Sequence, residues 1–345
     1  MGRILALLLV AVSTSAADAA RGATCNIPVF RYALERWPAA PFDVIAVHRG
    51  SLTDGQIQAL STLRQSGANL EVDHLDVAGA VEPRRRPLLD RLKVEAPALI
   101  ALYPGTEIVA WRGDLNDDDA RRLVHSPLRR EVSDRLLRGE TAVWILLESG
   151  EKAADDAAEA LLAKELRGLE QTLKLPAHHP DDPPLLSDLP MKVAFSILRL
   201  SRSNRDEQPL AAMLENSEKG LKGTVAFPIF GRGRVLWGLA GRGLTPDNIS
   251  ESGVFLTGAC SCEAKELNPG VDLLFDADWE EALSSAPEAS RIPDPVLKPR
   301  PPEPPEAGRS DPTLFWIALL GFGFLVAFSG RRIYALTRAE RSSRI

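Results

Sequence analysis

Cysteine is scarce: three residues in 345 exclude a disulfide-built scaffold and an all-cysteine tetrahedral zinc site, which needs four thiolates. Five histidines leave little room for a multi-histidine metal centre. Concentrated basic tracts are missing too. Lys and Arg total 41 against 47 Asp and Glu, a formal net charge of −6. Phosphate contacts need clustered cations, so no nucleic-acid partner is expected. Motifs that carry chemistry are also absent: no P-loop, no H-E-x-x-H and no G-x-S-x-G elbow. Gly231-Arg232-Gly233 lies inside an expected hairpin, so it is not a dinucleotide loop. The composition that remains, 45% hydrophobic and 26% charged, suffices for about two domains.

What the chain does carry is an address. Arg3 precedes an apolar run at residues 4–12, and Ala17-Asp18-Ala19 follows. Residues 1–19 thus read as a cleaved signal peptide, their apolar run being too short to span a bilayer. Cys25 follows Thr24 and sits too far downstream for a lipoprotein anchor. Residues 313–330 hold a second apolar run, TLFWIALLGFGFLVAFS, without charge. Its length is at the low edge of the roughly 17–25 residues that cross a membrane. Trp316 stands near its start, and Arg331, Arg332, Arg338, Arg341 and Arg344 make residues 331–345 a basic tail. By the positive-inside rule the tail is cytoplasmic and the N-terminus lies outside. Residues 285–312 are proline-dominated and cannot pack a core, so they are expected as a semi-rigid spacer of about 3.1 Å per residue where extended. The expected location is the cell membrane, single-pass, with the main part extracytoplasmic (periplasmic if bacterial).

Between these segments helix and strand alternate. Residues 26–37 have apolar residues at helical spacing; 42–47 read as a strand; Thr53-Asp54 caps a helix to Gln65; 70–77 alternate as a strand. Residues 98–103 and 107–111 flank Pro104-Gly105 as a hairpin, and Asn116 opens a helix. The second half follows suit. A strand over 142–147 precedes a long helix over 153–173 and a loop over 176–190. A strand over 192–200 and a short helix over 210–215 come next. Strands over 224–230 and 234–239 then flank the turn at Gly231, and Thr245-Pro246 starts a last helix.

The expected class is α/β, a mixed sheet with helices on both faces in each half. Residues 96–113 (APALIALYPGTEIVAWRG) carry a proline, a strand, a Gly turn, a strand and a terminal Gly. That stretch and the element order resemble the thioredoxin-like fold, over residues 25–125 and, by topology, 143–256. The resemblance implies two thioredoxin-like domains, 20–130 and 139–284, and makes Pro97 a cis-proline facing an active site. In that family C-x-x-C opens the first helix, whose N-terminus stabilises a thiolate. The matching stretch is Cys25-Asn26-Ile27-Pro28, with Pro28 in place of the second cysteine. Its counterpart in the second half, Glu148-Ser149-Gly150-Glu151, has no cysteine. Neither half carries the dithiol of disulfide exchange, which argues against an oxidoreductase.

Cys260-Ser261-Cys262 leaves three readings open. A disulfide from Cys25 to Cys260 or Cys262 suits an oxidising compartment and would contribute on the order of 2–5 kcal/mol. A C-x-C site, joined by Cys25, would suit redox chemistry or copper(I). Structural thiols are the third. His178-His179 beside Asp181-Asp182 reads as a polar loop, not a metal site. The run from Asp114 to Asp119 lacks the Gly and Glu of a calcium loop and reads as a capped helix start. Arg84-Arg85-Arg86 reads as a solvated loop.

The expectation is therefore a membrane-anchored interaction or assembly module of the cell envelope, with a protein partner, no catalytic residue and no cofactor. The alternative is a thiol-based redox or copper-handling protein using Cys25, Cys260 and Cys262.

Overall fold

The computed structural model describes residues 25–79, 85–180, 182–260 and 264–284. The expected signal peptide, spacer, membrane span and tail lie outside them, as do Arg84, Asp181 and Cys262. Among the described residues no helix is long and apolar enough to cross a membrane. The chain forms a mixed α/β structure with two sheets.

After helix α1 (Val29–Arg36), the first sheet is built from β1 (Phe42–His48), β2 (Leu70–Asp76), β3 (Ala98–Leu102) and β4 (Val109–Gly113). Its order is β2-β1-β3-β4. β1 and β2 run parallel; β3 is antiparallel to β1 and to β4. Parallel neighbours need a crossover, and α2 (Asp54–Gln65) supplies it. Thr53 starts α2 with a capping box: its hydroxyl accepts from Gln56 N, and Gln56 Oε1 accepts from Thr53 N. α3 (Arg86–Leu92) lies between β2 and β3. From sequence, one helix is expected after Asn116; two are present, α4 (Asp117–Val124) and α5 (Pro127–Leu137). Ser126 restarts the chain as an N-cap for Arg129 N, with Pro127 at the first helical position.

The second sheet uses β5 (Ala142–Leu147), β6 (Phe195–Leu200), β7 (Val225–Phe230), β8 (Arg234–Val235), β9 (Leu239–Ala240) and β10 (Val271–Asp272). Its order is β10-β8-β7-β5-β6, with β9 also on β7. α6 (Lys152–Thr172) crosses from β5 to the parallel β6, and α7 (Gln208–Ser217) leads to β7. α8 (Pro246–Thr257) and α9 (Trp279–Leu283) are the remaining described α-helices. The strand expected over 234–239 is split. Pro228 in β7 has no N–H to return to Leu236, which donates to its carbonyl at 3.0 Å. Beyond that point the pairing shifts by one residue, from Phe230 with Arg234 to Ala226 with Leu239. The turn between β7 and β8 needs glycine twice over. Gly231 and Gly233 have φ of +57° and +85°, and a Cβ would meet Ala33 at 2.8 Å or Phe275 at 2.4 Å.

Strand alternation assigns the core. Val44 and Ala46 of β1 and Val143 and Ile145 of β5 join one buried cluster with α2, α4, α5 and α7. Ile45 and Val47 face the other way, onto α3. Trp144 and Leu146 face α1, α6 and α8. The layers thus run from α3 through the first sheet, shared helices and second sheet to the outer helices. α1, expected with the first half, packs on α8 and β7 of the second. α7 covers the β4 edge: Asn216 Nδ2 donates to Ala110 O at 3.0 Å and Trp111 Nε1 to Gln208 Oε1 at 2.7 Å. The fully buried Arg129 donates to Leu274 O and to Leu123 O. Burial lowers its pKa to about 10. That cation fastens the C-terminal described segment to the α4–α5 corner.

Candidate functional site

Open α/β sheets bind ligands beyond the carboxyl ends of their parallel strands. β1 ends there at His48. The pairing of Val47 with Ala98 sets His48 against Pro97, which is exposed and follows a cis Ala96–Pro97 bond. His48 is 5% exposed. Its Nδ1 lies 2.8 Å from Gly50 O. A carbonyl only accepts, so Nδ1 carries the proton and Nε2 of the neutral ring accepts. Nε2 lies 3.2 Å from His74 Nδ1, and the rings are within 29° of parallel. His74, on the exposed β2, thereby donates through Nδ1 and turns a lone pair at Nε2 outward. Asp76 accepts from Gly50 N and Ala78 N, each at 2.8 Å. Those two amides hold its carboxyl below the ordinary carboxylate range. Arg49, Ser51 and Thr53 are exposed around the turn. The arrangement fixes the tautomers of a histidine pair and leaves Arg49 and Pro97 at the surface beside it. The turn from His48 to Thr53 contains no thiol.

The corresponding place on the second sheet is filled. β5 ends at Leu147, paired with Val225, so Glu148 faces Thr224. Asp155, 2% exposed, reaches back from α6. It accepts from Ser149 N at 2.8 Å, Ser149 Oγ at 2.9 Å, Gly150 N at 3.1 Å and Thr224 Oγ1 at 2.5 Å. Burial pushes its pKa up, but these four donors outweigh it and the net shift is down.

The sequence-selected residues fall in several places. Cys25 stands ahead of the first helix, as expected, and that helix comes before β1 and not after it. Cys25 lies, 4% exposed, in the apolar cluster of α1, α6 and α8. Cys260, 2% exposed, lies in the same cluster. An antiparallel bridge from Pro28 to Ala259 brings their segments together, with Cys260 N donating to Ile27 O at 2.9 Å. Arg85 is not simply solvated: it donates to Asp43 at 2.6 Å and Asp73 at 3.3 Å. Asn116 caps Asp119 N at 2.8 Å, and Asp117 and Asp119 pair with Arg121 and Arg122. His178 Nδ1 lies 3.6 Å from Asp182, whose Oδ1 already accepts from Asn26 N at 2.9 Å. Among the described residues no group of three or more His, Cys, Asp or Glu is placed to hold a metal ion.

A cleft of about 510 Å³ opens between the β3–β4 turn and β10, lined by Pro41, Tyr103, Pro104, Ile108, Val271 and Asp272 among others. Asp272 pairs with Arg234 at 2.9 Å and with Lys265, and accepts from Ala40 N. Burial raises the pKa of Tyr103, whose hydroxyl donates to Met213 O. The cleft is therefore apolar with its polar wall already paired.

Sequence reasoning missed the His48–His74 pair. The signal was present: both strands were legible, and each has its histidine toward the carboxyl end. No family model, curated protein or solved structure matches the chain.

Proposed function

We propose that the chain is a membrane-anchored, extracytoplasmic interaction or assembly module made of two degenerate thioredoxin-like domains. The strand orders β2-β1-β3-β4 and β6-β5-β7-β8, each with one parallel pair, support the fold reading. The anchoring, location and envelope partner rest on residues 1–19 and 313–345 as read from sequence. One observation carries the functional reading: the turn beside Pro97 presents histidine, arginine and serine, while Cys25 and Cys260 are packed in apolar surroundings on the other sheet. Disulfide exchange requires an accessible thiolate. Purified full chain should therefore reduce a disulfide substrate no faster than its Cys25→Ser variant; a Cys25-dependent rate overturns the reading.

The thiol alternative draws support from the Pro28–Ala259 bridge, which gathers the cysteine segments. Copper(I) stoichiometry separates it: metal lost in a Cys260→Ser, Cys262→Ser variant supports it, and none in the wild type ends it. A structural disulfide is the reading we favour for these residues. The Pro28–Ala259 bridge brings Cys25 and Cys260 into one buried cluster, and the partner of Cys25 is Cys260 or Cys262. Peptide mapping after alkylation without reduction should find Cys25 linked to Cys260 or Cys262; alkylated Cys25 ends the disulfide reading.

A further inference from the structure

β2 is a seven-residue edge strand. The bonds Asn69 O to Phe42 N and Val77 N to His48 O identify its odd-numbered residues as those bonded to β1. Val72, His74 and Asp76 therefore turn their backbone groups to the open edge. Asp76 O accepts from Gly79 N. For the N–H of Val72, His74 and Asp76 and the C=O of Val72 and His74, no partner is found among the described residues. Of the other edges among the described residues, only β6 is also open, at Ile197 and Arg199, and there the Arg199 side chain is held by Glu148, Asp156 and Glu159. α7 covers β4, β10 has two residues, and on β6 Phe195 N donates to Glu170.

An unpaired edge is a template for another strand. Its chemistry limits which one. β2 reads Leu70-Glu71-Val72-Asp73-His74-Leu75-Asp76, with three carboxylates and no Lys or Arg. Glu71 and Asp73 are exposed on one face; Arg85, bonded to Asp43 at 2.6 Å, also reaches Asp73 at 3.3 Å but not Glu71. A second copy pairing antiparallel about Val72 or Asp73 would set carboxylate against carboxylate, which is unfavourable; paired about His74 it would set Glu71 opposite Val77 and Asp73 opposite Leu75 and gain no charge contact. An extended segment with Lys or Arg at alternate positions would meet them favourably.

We propose that the β2 edge is a docking site for an extended basic segment of a protein partner, added to the first sheet as a further strand. Backbone bonds to Val72, His74 and Asp76 supply the register, and Glu71 and Asp73 select the charge. The proposal rests on the interaction reading and deepens it.

The test uses the full chain and an acetylated, amidated octapeptide alternating lysine and valine. A matching peptide replaces lysine with glutamate, and a third carries N-methyl groups on alternate amides of the lysine form. The lysine peptide should bind and slow amide exchange across residues 70–77. The N-methyl form keeps the charge but cannot ladder, and should not bind. In a Glu71→Lys, Asp73→Lys variant, affinity for the lysine peptide should fall on the order of tenfold and preference should pass to the glutamate peptide. Equal binding of the N-methyl form, protection outside β2, or no binding overturns the proposal. Any of these discards the edge and leaves the interaction reading standing, which falls separately on Cys25-dependent turnover.

Discussion

The carboxyl ends of β1 and β5 occupy equivalent places in their sheets and are finished in opposite ways. At β5, a carboxylate from the following helix folds back and gathers four donors from the turn and from Thr224. At β1, the acceptor for the turn comes from the neighbouring strand instead, as Asp76. The strand itself ends in a histidine paired with another histidine. The first device seals the turn inward; the second leaves Arg49, Ser51 and Pro97 exposed. Where a turn spends its polar groups on a buried carboxylate, little is left for a partner.

The comparison breaks most sharply at Asp155. Asp155→Ala removes the shared acceptor of four part-buried bonds and should cost about 2 kcal/mol in denaturant unfolding. Acid should act on the same residue. Its folded-state pKa is lowered, so its contribution is present above the unfolded value, about 4, and is lost as pH falls through the folded value. Stability of the wild type should therefore drop on acidification in that range more steeply than that of Asp155→Asn. Equal slopes would mean that the turn at β5 does not depend on the charge. Thr224→Val removes one of the four donors and should cost about 1 kcal/mol. A loss as large as that of Asp155→Ala would mean that Thr224 alone holds the seal.

Much of this architecture was legible in sequence because it is written locally. Thr53, Asn116 and Thr245 cap helices where expected, since a side-chain oxygen and an amide three residues on are all that a cap requires. Strands β1, β3, β5 and β7 are read from short apolar runs. Non-local features were not legible. Nothing in residues 26–37 tells which sheet α1 will cover, and it covers the second. The strand expected over 234–239 breaks because of Pro228, a residue on the facing strand. β10 and α9 went unseen because a two-residue strand and a five-residue helix have no period to detect. The candidate site was the least legible part. Its two histidines are 26 residues apart, and only the parallel pairing of β1 and β2 makes them neighbours.

The smallest effect is expected at that pair. His74 is exposed, so His74→Ala should change stability by no more than about 0.5 kcal/mol. The pair is better read through its protons. The Gly50 carbonyl requires a proton on His48 Nδ1, so long-range imidazole ¹⁵N spectra of the neutral protein should show His48 as the Nδ1–H tautomer. His74 should show the same tautomer, because its Nδ1 donates to His48 Nε2. In His74→Ala, His48 should keep its tautomer, held by Gly50 alone, while its Nε2 resonance moves on losing a donor. A His48 found as the Nε2–H tautomer would reverse the direction of the chain and place the outward lone pair elsewhere. The first turn would then be finished by the backbone and Asp76 only, and the contrast with β5 would narrow to the choice of which element supplies the carboxylate.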